Sequence, residues 1–160
     1  MNPTTATTTP TASADARYLT PSTGDRVFNR IARRLTRMGL SLYGSRELRV
    51  VGRKSGQVRT TVVNLLVLDG ERYLVAPRGT TEWVRNLRAA GGGELRVGRR
   101  TEAFGYEELA DADKPAILRE YLSKWAFEVG RFFEGIDADS TDEELLAIAP
   151  GFPVFRLVAA

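Results

Sequence analysis

The sequence contains no cysteine, which excludes disulfides, thiolate nucleophiles, iron–sulfur clusters and cysteine-ligated zinc. Histidine is absent as well. With it go Ser-His-Asp chemistry, imidazole general bases and most transition-metal sites. No stretch approaches the roughly eighteen consecutive apolar residues of a membrane span. The amino terminus lacks the charged start and apolar centre of a secretory signal, so a cytoplasmic protein is expected. If the chain is an enzyme, a tightly held organic cofactor has to carry the hard chemistry.

What is present is ordinary in bulk and uneven in detail. A length of 160 residues suits one domain, and 42% hydrophobic with 27% charged residues is the balance of a soluble globular protein. By count, residues 1–60 hold 11 Lys/Arg against 3 Asp/Glu, whereas residues 101–160 hold 5 against 13. The first-half cations are nearly all arginine, which binds phosphate and carboxylate through a two-pronged fork. A pI near 9.5 raises nucleic acid as a partner. The acidic second half, the lack of a helix-turn-helix pattern and the lack of interleaved surface aromatics argue against it.

Residues 1–16 are rich in Thr, Ala and Pro and cannot offset their ordering entropy. A disordered tail over residues 1–20 is therefore expected before a single domain over 21–160. Val27, Phe28, Ile31, Leu35, Met38 and Leu42 recur at helical spacing, with Arg26, Arg30, Arg33, Arg34 and Arg37 mostly opposite. That pattern suits a helix packed on a barrel, or a basic amphipathic helix in peripheral contact with an anionic membrane.

Strands are expected over Leu48–Val51, Thr60–Leu68, Tyr73–Ala76, Leu95–Val97, Thr101–Leu109 and Pro153–Val158, with hairpins at Asp69-Gly70 and Gly98-Arg99-Arg100. Helices are expected over Thr81–Ala90, ended by Gly91-Gly92-Gly93, over Asp111 to about Phe133, capped by Asp111 or Asp113, and over Thr141–Ile148. The sum is an α+β protein with a mostly antiparallel sheet of five or six strands, closing into a small barrel.

One stretch between two strands, Gly52-Arg53-Lys54-Ser55-Gly56-Gln57-Val58-Arg59-Thr60-Thr61, carries three cations, two glycines and three hydroxyls. Glycines let an anion approach exposed backbone N–H groups, and the side chains add charge and donors. This is the inventory of a phosphate or polycarboxylate site, although a solvated basic hairpin has the same composition. The order of a P-loop is absent. A second cluster, Ala76-Pro77-Arg78-Gly79 followed by Trp83 and Asn86, comes directly after a strand. Trp83 suits a half-buried core position as well as a pocket wall. Tyr106, Tyr121, Trp125, Phe127, Phe132 and Phe133 form an aromatic series that is mostly core at helical spacing. Aromatics on several faces of one helix, however, need a covering ligand, domain or second subunit.

The run LRVVGRKSGQVRTTVVNLLVLDGERYLVAPRGTTEWVRNL resembles the deazaflavin-dependent nitroreductase and quinone reductase family. Members are split β-barrels related to flavin-binding proteins. The family pattern is a Gly-Arg-Lys-Ser/Thr-Gly turn, then Arg-x-x-Pro, a hairpin, a Ser-Lys-Gly-Gly turn, and His-Pro-x-Trp-Tyr-x-Asn-Leu. The likeness covers about residues 23–108. It implies coenzyme F-420, whose tail carries a phosphodiester and a glutamate chain. By position, Gly52, Arg53, Lys54, Ser55, Gly56 and Arg59, with Thr60 and Thr61, would approach that tail. Val62 takes the place of the family's proline beside the deazaflavin, and Ala76, Pro77, Arg78, Gly79 and Trp83 line the second contact. Pro77-Arg78-Gly79-Thr80 replaces Ser-Lys-Gly-Gly, no His-Pro precedes Trp83, and Val84 replaces the tyrosine.

The resemblance implies hydride transfer from reduced coenzyme F-420 to a small electron-poor acceptor such as a quinone, enone or nitro compound. Tyr106 or Tyr121 is a candidate donor of a hydrogen bond or proton, with solvent as the other source. The alternatives are an FMN-dependent split-barrel oxidoreductase and a non-catalytic binder of a cofactor or lipophilic ligand. Monomer and homodimer both fit, because the long helix could cap its own barrel or a partner's.

Overall fold

The computed structural model describes Leu19 and residues 44–160. The expected disordered tail and the arginine-rich helix lie outside the described residues.

Six strands form a closed barrel in the order β1-β2-β3-β6-β5-β4, and every pairing is antiparallel. They are β1 (Ser45–Val51), β2 (Val58–Leu68), β3 (Glu71–Val75), β4 (Gly92–Val97), β5 (Arg100–Glu108) and β6 (Val154–Ala159). Helix α1 (Glu82–Ala90) connects β3 to β4, while α2 (Pro115–Val129) and α3 (Asp142–Ile148) lie between β5 and β6. The β2–β3 hairpin turns through Asp69 and Gly70, both at positive φ (51° and 78°), the backbone for which an Asp-Gly pair is suited.

The period-two alternation of the strands divides the apolar residues into two cores. Leu48, Val50, Val63, Leu74, Phe104 and Phe155 fill the barrel, joined by Val84 and Leu87 of α1. On the outside, Leu66, Val75 and Val154 meet Leu118, Tyr121, Leu122 and Trp125 of α2 and Leu145 of α3. Phe133 stacks on Phe152 there, with ring centroids 4.2 Å apart. Most of the aromatic series is thus core, as its spacing implies. Phe127 stands exposed.

Two expectations about helix ends are corrected. The helix expected from Asp111 to about Phe133 is a single 3-10 turn at Asp111–Asp113, then α2, then a second 3-10 turn at Gly130–Phe132. Neither aspartate caps it, and Lys114 occupies the N-cap position. The buried Lys114 ammonium instead binds the Asp111 carboxylate at 2.7 Å and the Ala149 carbonyl at 3.1 Å. Inside α2, Trp125 departs from helical geometry (φ −127°, ψ 17°). The second correction concerns the triple glycine. Gly91 ends α1 in the left-handed conformation, but Gly92 and Gly93 belong to β4. A Cβ on Gly92 would stand 2.5 Å from the Phe104 carbonyl oxygen, and one on Gly93 2.9 Å from that of Arg49. Close strand approach, rather than a loop, explains both.

Candidate active site

The β1–β2 turn is a compact loop set by its own backbone. Gly52 donates to the Gln57 carbonyl at 2.7 Å, Gly56 donates back to Gly52 at 2.9 Å, and Gln57 donates to the Ser55 hydroxyl at 3.2 Å. Gly56 has φ +69°, which glycine adopts without strain. A Cβ on Gly52 would lie 2.9 Å from Ser55 Oγ.

The three cations of the turn are not equivalent. Arg53 is committed to α1: its guanidinium donates to Glu82 at 2.9 Å and to Asn86 at 2.8 Å, and its backbone N–H reaches the same Asn86 oxygen at 3.2 Å. That hydrogen bond holds the Glu82 carboxyl below its ordinary range, against a smaller opposing effect of burial. Lys54 and Arg59 are exposed, and neither forms an ion pair among the described residues.

A cavity of about 540 Å³ opens beside this turn, within the range of small-molecule and cofactor sites. Its wall includes Gly52, Arg53, Lys54, Ser55, Arg59, Thr60, Thr61 and Val62 from the turn and β2. Pro77, Arg78 and Trp83 contribute from the second cluster, and Tyr121 from α2. Trp83 answers both of its readings: it is half-buried against the barrel core, with its ring 5.8 Å from that of Phe155, and it lines the cavity.

Four expected site residues are not on the wall. Gly56 lies at the exposed tip of the turn, Ala76 is fully buried in the barrel core, and Gly79 shapes its turn at φ +82°. Tyr106 packs edge-on against Phe155 at 5.1 Å on the barrel core. Burial raises its phenol pKa, as does the Glu108 carboxylate, while Arg88 opposes them.

The wall also holds Asn64, Glu128, Arg131 and Phe132, which sequence reasoning did not single out as site residues. Asn64 follows Val63 on β2 and therefore faces α2 rather than the barrel interior. Its amide donates to Glu128 at 3.3 Å. Tyr121, only 2% exposed, has its pKa raised by burial first and the Glu128 charge second, with the neighbouring Asn64 amide opposing. Phe132 lies between two guanidiniums, Arg131 at 4.7 Å and Arg78 at 5.1 Å from its ring centre. An asparagine inside a run of aliphatic strand residues is the one signal that could have marked this end. Glu128 has no comparable mark.

The profile of the F420H(2)-dependent quinone reductase family matches residues 25–131, two-thirds of the chain and all of the turn, the second cluster and the α2 wall. The chain belongs to that family. The family's name describes quinone reductases that depend on F420H(2), the reduced form of coenzyme F-420. No curated protein is similar enough in sequence to count as a match.

Solved structures share the fold at low identity. A protein of unknown function from Agrobacterium tumefaciens is 18% identical with a TM-score of 0.53, over 88% of this chain and 57% of that one. The quinone reductase family member described here thus spans little more than half that protein's length. An F420-H2 dependent reductase is 15% identical with a TM-score of 0.51, over 72% of this chain and 94% of that one. A protein solved as a domain-swapped dimer is 17% identical with a TM-score of 0.52, over 81% and 92%. The fold is that of the split β-barrels.

Proposed function

We propose that the cavity beside the β1–β2 turn is where this family member holds reduced coenzyme F-420 and reduces a quinone. The observation that carries the reading is the pair Lys54 and Arg59, two cations on the cavity wall without an ion-pair partner among the described residues. Two like charges on one cavity wall raise its local potential and favour an anionic ligand there. The donor set also fits the cofactor's anionic tail, since two exposed cations, the Ser55 hydroxyl and a glycine-lined turn are complementary to phosphate and carboxylate.

When bound, the cofactor supplies the hydride. The chain's own residues then have four tasks. Lys54, Arg59 and Ser55 bind the tail. Arg53, locked to Glu82 and Asn86, fixes the turn relative to α1. Trp83, Val62 and Phe132 bound the cavity with apolar surface that excludes water and fixes the approach of the reacting rings. Tyr121, kept as a neutral phenol by its burial, donates a hydrogen bond to the acceptor oxygen. Tyr121 is preferred to Tyr106 for that task because it lines the cavity and Tyr106 does not.

The test is a titration of the full-length protein with coenzyme F-420 and with FMN, followed by absorbance and fluorescence. Saturable binding of coenzyme F-420, weaker binding of FMN and reduction of menadione by the reduced complex are expected. Preferential binding of FMN would overturn the cofactor placement. Binding without turnover of any quinone, enone or nitroaromatic would leave a carrier.

A further inference from the structure

The cavity is electrically lopsided along β2. Its basic end is the turn, with Lys54 and Arg59. Five residues further along the same strand is Asn64, about 17 Å away at the rise of an extended chain. At that end stands a carboxylate. Glu128 is on the wall and half-buried, and among the described residues it takes one hydrogen bond, from Asn64. It forms no ion pair among the described residues, although Arg131 follows three positions later and lines the same cavity.

The placement of Glu128 is unfavourable for the fold alone. It lies in the last turn of α2, where the helix dipole disfavours a negative charge. Partial burial adds a desolvation cost that one amide hydrogen bond offsets only in part. Several exposed or half-buried carboxylates of this half of the chain are paired, Glu102 with Arg72, Glu108 with Arg88, Glu107 with Arg156 and Asp142 with Arg119. Among the described residues Glu128 has no such ion-pair partner, and it lines the space an acceptor would enter. The break at Trp125 falls between Tyr121 and Glu128, so it adjusts where the carboxylate stands relative to the phenol.

We propose that Glu128 is a specificity-determining residue for the acceptor, admitting neutral quinones to the Asn64 end of the cavity and turning away anionic ones. This rests on the reading of the cavity as the cofactor and acceptor site. A charged sulfonate brought within several ångströms of an unpaired carboxylate, in a partly desolvated cavity, is repelled far more than it would be in water. A neutral quinone of the same ring system is not. The cations at the turn act at the far end of the strand, and Arg78 and Arg131, stacked on Phe132, are the nearer positive charges that Glu128 has to outweigh.

The experiment compares menadione with naphthoquinone sulfonate in the wild type, Glu128→Gln and Glu128→Asp. Each quinone is titrated into full-length protein carrying oxidised coenzyme F-420, with quenching of tryptophan fluorescence as the binding readout, and kcat/KM is then measured with the reduced cofactor. Glu128→Gln is expected to lower the preference for menadione over the sulfonate by about tenfold in both measurements, and Glu128→Asp to keep most of it. The different reduction potentials of the two quinones cancel in the comparison between variants. An unchanged preference in Glu128→Gln overturns the proposal. If that variant fails to fold, the wild type decides: its preference for menadione falls as salt is raised if Glu128 repels the sulfonate, and a preference that stays level or grows with salt overturns the idea. Failure of the wild type to bind coenzyme F-420 would instead overturn the placement of the site.

Discussion

Arg53, Lys54 and Arg59 fall within seven residues, yet they do different work. Arg53 is held in a shared bond with Glu82 and Asn86, so its removal should be felt mainly as lost stability. Lys54 and Arg59 make no comparable bonds among the described residues. Replacing either with alanine should weaken coenzyme F-420 about three- to tenfold with little change in melting temperature, the range for losing one partly solvated charge-assisted contact. The deficit should shrink as salt is raised. Affinity unchanged in both variants would return the turn to the solvated-hairpin reading. Gly52 is a steric matter: a methyl group there meets Ser55 Oγ at 2.9 Å and the Gln57 carbonyl at 3.1 Å. The Ser55 hydroxyl can rotate away whereas the carbonyl is fixed by the turn, so Gly52→Ala should cost about 1–2 kcal/mol, read from denaturant unfolding, and should loosen cofactor binding as well.

Between elements, the link that matters is Asn86. This buried side chain on α1 accepts from both the backbone and the guanidinium of Arg53. Asn86→Leu keeps the branched shape but leaves those donors without their acceptor, a loss of about 1–3 kcal/mol. Thermal unfolding should show it, together with weaker cofactor binding because the turn is no longer fixed to the helix. A variant as stable as the wild type would show that water substitutes for the amide. The same scale shows what local pattern could and could not reveal. The Asp69-Gly70 hairpin, the alternating strands and the helix from Thr141 follow from rules acting within a few residues, and they were legible. The interruption of α2 at Trp125 was not, because nothing in the apolar spacing there differs from that of an unbroken helix. The indole there is buried in the outer core, beside Tyr121 one turn earlier, ring centroids 5.1 Å apart.

For the whole molecule, the legible part of the site is the part made from one short stretch. Turn, hydroxyls and cations are contiguous in the chain, so composition alone raised an anion site there, beside the reading of a solvated hairpin. The opposite end joins Asn64 to Glu128 across 64 residues, and only barrel closure and the docking of α2 bring them together. That juxtaposition has a consequence for stability against pH. Tyr121 is buried and its folded-state pKa lies above the ordinary tyrosine value of about 10. Below that ordinary value both folded and unfolded chains keep the phenol protonated, and its contribution to stability is fully present. As pH rises past it, the unfolded chain releases the proton while the folded chain retains it, so stability falls until the folded-state value is reached. The slope is about 1.4 kcal/mol per pH unit. Tyr121→Phe cannot show this loss. Denaturant unfolding of both proteins in steps from about pH 9 to pH 11 should therefore show the wild type losing stability faster than the variant. Lysine and other tyrosine titrations are common to both and cancel. Parallel curves would mean that the phenol ionises as readily in the folded protein as in the unfolded chain. Tyr121 would then not be the neutral hydrogen-bond donor that the acceptor end of the cavity requires.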